Sequence, residues 1–123
     1  MTGEIQEIVS KISAVGCTVA GKKGEEIFLI PIEEIFYFES VDGNIFFCTE
    51  NETYEAAAKL YQIEEKLQNL QFARISKTVI ANLGKMLSIK RSENSRLEAT
   101  LVNKEKLIVS RNYVQQIMKK LGV

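Results

Sequence analysis

The sequence predicts an antiparallel β fold with a few short helices at its periphery. Three observations support this class. About eight to ten short β-prone runs follow one another, separated by frequent turn residues. One Asp-Gly turn joins two of these runs, which is the strongest short-range signal for a hairpin. Helical periodicity is limited to short stretches, so the alternation of strands and long helices that marks a parallel sheet is missing.

The first half of the chain contains one predicted helix and several predicted strands. Apolar residues at helical spacing predict a helix over 4–13: Ile5, Ile8, Val9 and Ile12. A Gly-containing turn is predicted over 21–26, next to a weakly alternating strand. The predicted strands cover these ranges: 17–22, 27–30, 35–40, 45–49 and 53–55. The hairpin over 35–49 is the clearest, because Val41-Asp42-Gly43-Asn44 separates two aromatic runs.

The second half contains two predicted helices and three further strands. A helix is predicted over 56–69 with Leu60, Ile63 and Leu67 on one face, whereas 72–83 has no clear period. The strands are predicted over these ranges: 86–90, 97–101 and 107–109. Ser110 is predicted to be the N-cap of the last helix. The inward residues of that helix, and the glycine after its end, are Tyr113, Val114, Ile117, Met118, Leu121 and Gly122.

Length and composition indicate one folded domain in the cytoplasm. The chain has 123 residues, of which 46% are hydrophobic and 26% charged. No apolar run reaches the roughly 18 residues that a membrane span needs. The beginning, MTGEIQEIVSK, lacks the cationic and apolar regions of a secretory signal.

The side chains that usually carry catalysis are scarce. The sequence has no histidine, which excludes Ser-His and Cys-His dyads and most transition-metal sites. Cys17 and Cys48 lack metal-ligand spacing, and Cys48 is expected to be a buried thiol. The paired acids at 25–26 and 33–34 would point to opposite faces of a strand. We therefore expect no enzymatic activity, no cofactor, no metal and no small-molecule substrate.

The net charge of zero conceals a split between the two halves. Residues 1–70 carry five basic and thirteen acidic side chains, a net charge of −8. Residues 71–123 carry eleven basic and three acidic side chains, a net charge of +8. Such asymmetry indicates a face for nucleic acid or an acidic membrane, or two halves that neutralise each other on folding. The bases near predicted turns are Arg74, Lys77, Lys90, Arg91, Arg96, Lys104, Lys106 and Arg111.

An aromatic group in the first hairpin has two interpretations. Its members are Phe36, Tyr37, Phe38, Phe46 and Phe47. Exposed aromatic side chains can stack on bases, as in proteins that bind single strands. The inner face of a hairpin packed on the core explains them better, because they lie in the acidic half of the sequence.

Four stretches in order resemble the LytTR family of bacterial DNA-binding domains. FARISKTVIANLGKMLSI (72–89) is similar to the family pattern, approximately F-x-R-x-H-[RK]-S-x-x-V-N-x-x-x-I. Two positions depart from it, since Ser76 stands where the family usually has His and Ala81 where it usually has Val. The other three stretches are IEEIFYFES (32–40), TYEAAAKLYQIEEKL (53–67) and KLIVSRNYVQQIMKKL (106–121). The resemblance covers about residues 24–122.

The resemblance implies an elongated antiparallel β-sandwich with helices at the side, which binds double-stranded DNA sequence-specifically to regulate transcription. It implies that loops enter two successive major grooves. The base-contacting residues would be Asn44 or its neighbour in the first hairpin turn, Lys77 and Arg111. Thr78 and Ser110 would reach phosphates. Cations near turns add three expected phosphate contacts: Arg74, Lys90 and Arg91. A direct-repeat site read by two copies is also implied.

The resemblance also suggests how the chain is organised. We expect a helix and lead-in over 1–23 and the LytTR-like domain over 24–123. The chain resembles small stand-alone members, which are often encoded beside a small membrane protein, and a functional link to such a protein is implied. The alternative function is a protein-interaction module whose basic face docks an acidic protein or a membrane surface.

Overall fold

The computed structural model describes residues 18–123, which form ten strands and two α-helices. The predicted helix over 4–13 and Cys17 lie outside the described residues. The strands are β1 Thr18–Lys23, β2 Glu26–Pro31, β3 Tyr37–Val41, β4 Asn44–Cys48, β5 Thr53–Ala56, β6 Phe72–Arg74, β7 Val79–Asn82, β8 Met86–Arg91, β9 Leu97–Leu101 and β10 Lys106–Val109. The helices are α1 Leu60–Leu67 and α2 Val114–Leu121. No helix within this part of the chain is long and apolar enough to cross a membrane.

The strands form two antiparallel sheets, as the sequence predicts. A seven-stranded sheet has the order β2-β1-β5-β4-β3-β7-β6, and a three-stranded sheet has the order β10-β9-β8. Because β1 lies between β2 and β5, the larger sheet begins within the predicted lead-in. The domain boundary at residue 24 stays a prediction.

Alternate residues of β6 and β7, at one edge of the seven-stranded sheet, contribute to two hydrophobic cores. On β6 and β7, Phe72 and Ile80 enter the core beneath α1, whereas Ala73 and Ala81 enter the core shared with the three-stranded sheet and α2. Successive side chains of a strand point to opposite faces, so one strand serves both cores. The seven-stranded sheet is thus covered on both faces at β6 and β7. Ala81, a departure from the family pattern, is fully buried in the second core.

Packing confirms the core interpretation for most of the aromatic group. Phe36, Phe38 and Phe47 are buried, and the rings of Phe38 and Phe47 lie 5.3 Å apart. Tyr37 and Phe46 are half-buried.

Three expectations about the elements are corrected. The helix predicted over 56–69 begins only at Leu60, because Ala56 still belongs to β5 and pairs with Ile45 of β4. The unclassified stretch 72–83 contains β6 and β7. The Ser110 hydroxyl makes no capping hydrogen bond, since a 3₁₀ turn over Arg111–Tyr113 precedes α2.

Asn82 is a buried polar residue whose side chain bonds only to backbone groups of the fold. Its Nδ2 donates to the Ile35 carbonyl at 2.8 Å, and its Oδ1 accepts from the Gly84 amide at 2.9 Å. A buried amide with both ends satisfied holds neighbouring backbone in place. Asn82, which fits the family pattern, therefore supports the fold in this structure.

Candidate nucleic-acid interface

Three segments meet at one end of the seven-stranded sheet. The β3–β4 turn and the β6–β7 loop lie there side by side, because the Ser40 amide donates to the Thr78 carbonyl at 2.8 Å. The Ser110 amide donates to the Ile75 carbonyl at 2.8 Å and brings the start of the last 3₁₀ turn to the same place. We call residues 41–44, 75–78 and 110–111 the loop end. It contains all three predicted base-contacting residues.

The β3–β4 turn places Asn44 at the loop end. Val41 pairs with Asn44, so Asp42 and Gly43 form a two-residue turn. Their φ angles are 52° and 83°, both positive, as a type I′ turn requires. This turn type continues the twist of the flanking strands. Asn44 is thereby held as the exposed first residue of β4.

Lys77 lies at the tip of a loop closed by its own hydrogen bonds. The Ile75 amide donates to the Val79 carbonyl at 3.0 Å, and the Ile75 side chain is buried. The Ser76 hydroxyl accepts from the Thr78 amide at 3.2 Å. Serine at the position where the family usually has His thus supplies a local hydrogen bond. Lys77 and Thr78 remain exposed.

Asn44 and Lys77 line one open cleft of about 450 Å³. Lys59, the residue before α1, lines it as well, and Glu55 contributes an acidic side chain. Lys59 is not among the site residues that the sequence predicts. Its position directly before a predicted helical stripe would have been the only available signal.

The predicted phosphate contact Arg74 makes three hydrogen bonds within the protein. Its Nε and Nη2 donate to Glu64 Oε1 at 3.1 and 2.9 Å, and its Nη1 donates to the Lys77 carbonyl at 2.7 Å. Only 16% of its side chain is exposed. A phosphate contact by Arg74 stays a prediction, and no pattern in the sequence indicates this internal role.

Lys90 and Arg91, the other predicted phosphate contacts, occupy different environments. Adjacent residues of a strand point to opposite faces. Lys90 lies on the outer face of the three-stranded sheet, opposite Glu98, with Nζ 3.5 Å from Glu98 Oε1. Arg91 is the last residue of β8 and pairs with Leu97 of β9. Leu97 pairs in turn with Val109 of β10, the residue directly before Ser110. Arg91 is therefore at the same end of the small sheet as the loop end.

The opposite end of β3 joins the two sheets. The Tyr37 hydroxyl donates to Glu105 Oε2 at 2.6 Å, and burial together with this hydrogen bond raises the pKa of Tyr37. Burial also raises the pKa of the neighbouring Cys48 thiol. A thiol with a raised pKa is a poor nucleophile at neutral pH.

Within residues 18–123 no group of three or more acidic or Cys side chains is placed to hold a metal ion.

The fold and the loop end define an antiparallel β domain with long polar and cationic side chains on adjoining loops. The profile of the LytTr DNA-binding domain family matches residues 25–122, and the chain belongs to this family. The family is one of DNA-binding domains, not of enzymes.

Relatives of known name support this assignment. Over 99 residues the chain is 33% identical to the sensory transduction protein LytT of Bacillus cereus, covering 80% of this chain and 40% of LytT. The chain thus spans about 40% of the length of that relative. An HTH-type transcriptional regulator of Staphylococcus aureus is 24% identical over 125 aligned positions, with 100% of this chain and 84% of that protein covered. In residues 18–123, five strands separate α1 from α2, so these helices do not form a helix-turn-helix pair.

A solved structure shares the fold. The LytTr DNA-binding domain of a methyl-accepting/DNA response regulator from Bacillus cereus aligns with a TM-score of 0.81 at 24% identity. The alignment covers 86% of this chain and 97% of that domain. This likeness confirms the mainly β, antiparallel architecture with short helices.

Proposed function

We propose that the chain is a transcriptional regulator that binds double-stranded DNA sequence-specifically by inserting the loop end into the major groove. The observation that supports this most is the convergence of the three segments that carry Asn44, Lys77 and Arg111, which come from distant parts of the sequence. Asparagine can pair with the edge of adenine, and lysine and arginine with O6 and N7 of guanine. Polar side chains on loops with a fixed backbone are suited to reading bases.

The surrounding side chains supply phosphate contacts. Thr78 and Ser110 present hydroxyls beside Lys77 and Arg111. The lack of a capping bond leaves the Ser110 hydroxyl suited to a phosphate oxygen. Arg91 adds a cation at the same end.

The family resemblance supports two further parts of the proposal. Two copies of the chain would bind a direct repeat. A small membrane protein would have a functional link to the regulator.

Selection of bound duplexes from a random pool tests this function. We expect a recovered motif with two similar half-sites, and affinity that falls steeply with salt. Recovery of no motif from the pool would contradict the proposal and favour a protein- or membrane-docking module. A matched control is Lys120→Ala, which removes one cation from the far end of α2 and should recover the same motif as the unaltered chain.

A further inference from the structure

We propose that Glu64 and Arg74 are positioning residues that fix the backbone of Lys77 for base reading. This inference rests on the proposed function and adds two side chains to it. The juxtaposition is direct: one guanidinium binds the carboxylate of α1 and the carbonyl of the loop tip.

Hydrogen bonds from three different segments hold the loop backbone. The Ile75 carbonyl accepts from the Ser110 amide, and the Thr78 carbonyl accepts from the Ser40 amide. The Lys77 carbonyl accepts from Arg74 Nη1 at 2.7 Å. The first two donors are backbone groups. The hydrogen bond to Lys77 is the one of these three that a side-chain substitution removes.

Glu64 sets the direction of the Arg74 guanidinium. Leu60, Ile63 and Leu67 form the buried face of α1, and this face fixes the helix on the sheet. Glu64 projects beside this buried stripe and accepts from both Nε and Nη2 of Arg74. A planar guanidinium held by two of its nitrogens has little rotational freedom. Its remaining nitrogen is therefore aimed at the Lys77 carbonyl.

A positioning role and a phosphate-contact role predict opposite effects of Glu64. If Arg74 served only to bind phosphate, Glu64→Ala would remove a competing negative charge and strengthen binding to every duplex. If the pair positions Lys77, Glu64→Ala weakens binding to the selected duplex. The two roles thus differ in the sign of one measurement.

The experiment compares Glu64→Ala with Glu65→Ala, which removes the same charge from the next, exposed residue of α1. We expect Glu64→Ala to lower the ratio of affinities for selected and scrambled duplexes about 3- to 30-fold. The control should leave this ratio unchanged. In the protein without DNA, ¹⁵N relaxation should show increased motion of the Lys77 and Thr78 amides in Glu64→Ala only.

Conservative variants separate positioning from general destabilisation. Glu64→Gln keeps an acceptor oxygen and should retain most of the ratio. Arg74→Lys keeps the charge but cannot reach both partners with one ammonium group, so it should lower the ratio as Glu64→Ala does. Equal ratios and equal amide relaxation in Glu64→Ala and Glu65→Ala would overturn the inference. Failure of the proposed function shows differently, as the absence of any preferred duplex for the unaltered chain.

Discussion

Among residues 18–123, neither Lys77 nor Arg111 at the loop end has an acidic side chain within 4 Å, whereas Lys90 on the outer face of the three-stranded sheet lies 3.5 Å from Glu98. Lys106 approaches the same carboxylate at 3.9 Å. Both regions contribute cations to the +8 half of the sequence. A cation that already faces a carboxylate offers less net charge to a phosphate. Folding therefore decides which cations of the basic half are available to DNA.

Arg111→Ala should have the largest effect on sequence-specific binding. Loss of a bidentate contact to guanine costs about 1–3 kcal/mol, so specific binding should fall about 5- to 150-fold. Binding to scrambled duplex should change little, and Arg111→Lys should restore only part of the loss, because the planar fork is missing.

Melting temperature is the companion measurement for Arg111. In the alternative, Arg111 only opposes the dipole at the start of the last helical segment, and its removal stabilises the fold by up to about 1 kcal/mol. An affinity ratio equal to that of Lys120→Ala would refute the base contact, whatever the melting temperature does.

Lys77→Ala should have the next largest effect. An ammonium group makes a less directional contact with guanine than a guanidinium does, so we expect a loss of about 5- to 30-fold for the selected duplex. Alanine keeps the carbonyl that accepts from Arg74, so the loop should retain its shape. Relaxed preference at a single base pair, measured by repeating the selection, would support the contact. Unchanged preference at every position would contradict it.

The hairpin containing Asn44 was predictable from sequence, because an Asp-Gly turn between aromatic runs sets a local structure. The stretch 72–83 was not predictable, because its strands have three and four residues and serve two cores on alternate faces. A stretch so short shows no decisive period. The pairing of Arg74 with Glu64 joins residues of α1 and β6 that are ten positions apart, and no local pattern signals it.

The predicted base-contacting residues came from the family resemblance, and the convergence of their segments came from the topology. Hydrogen bonds from Ser40 and Ser110 connect segments that are distant in sequence, so composition and spacing could not reveal them. The separation of charge between the two halves of the sequence does not persist as two separate regions of the fold. The reason is that β3 of the acidic half pairs with β7 of the basic half.

Arg91→Ala and Lys90→Ala should have smaller effects, which appear in the salt dependence of binding. Both were predicted phosphate contacts, and each lost contact lowers the salt slope of binding by about one. Because Arg91 lies at the end near Ser110 and Lys90 faces Glu98, we expect the full decrease for Arg91→Ala and a smaller one for Lys90→Ala. Slopes are measured on scrambled duplex from low to moderate salt. A larger decrease for Lys90→Ala would reverse the assignment of the two surfaces.

Glu98→Gln should have the smallest effect, and its sign is informative. The substitution removes the carboxylate that Lys90 and Lys106 share, so the outer face gains one unit of net positive charge. Ion pairs near a protein surface contribute only about 0–1 kcal/mol, and we therefore expect binding to all duplexes to strengthen by no more than about fivefold at low salt. Screening should abolish this gain as the ionic strength rises. Glu65→Gln, which removes the same charge from α1, is the matched control. A gain confined to the selected duplex would instead place Glu98 against the bases and make the outer face part of the reading surface.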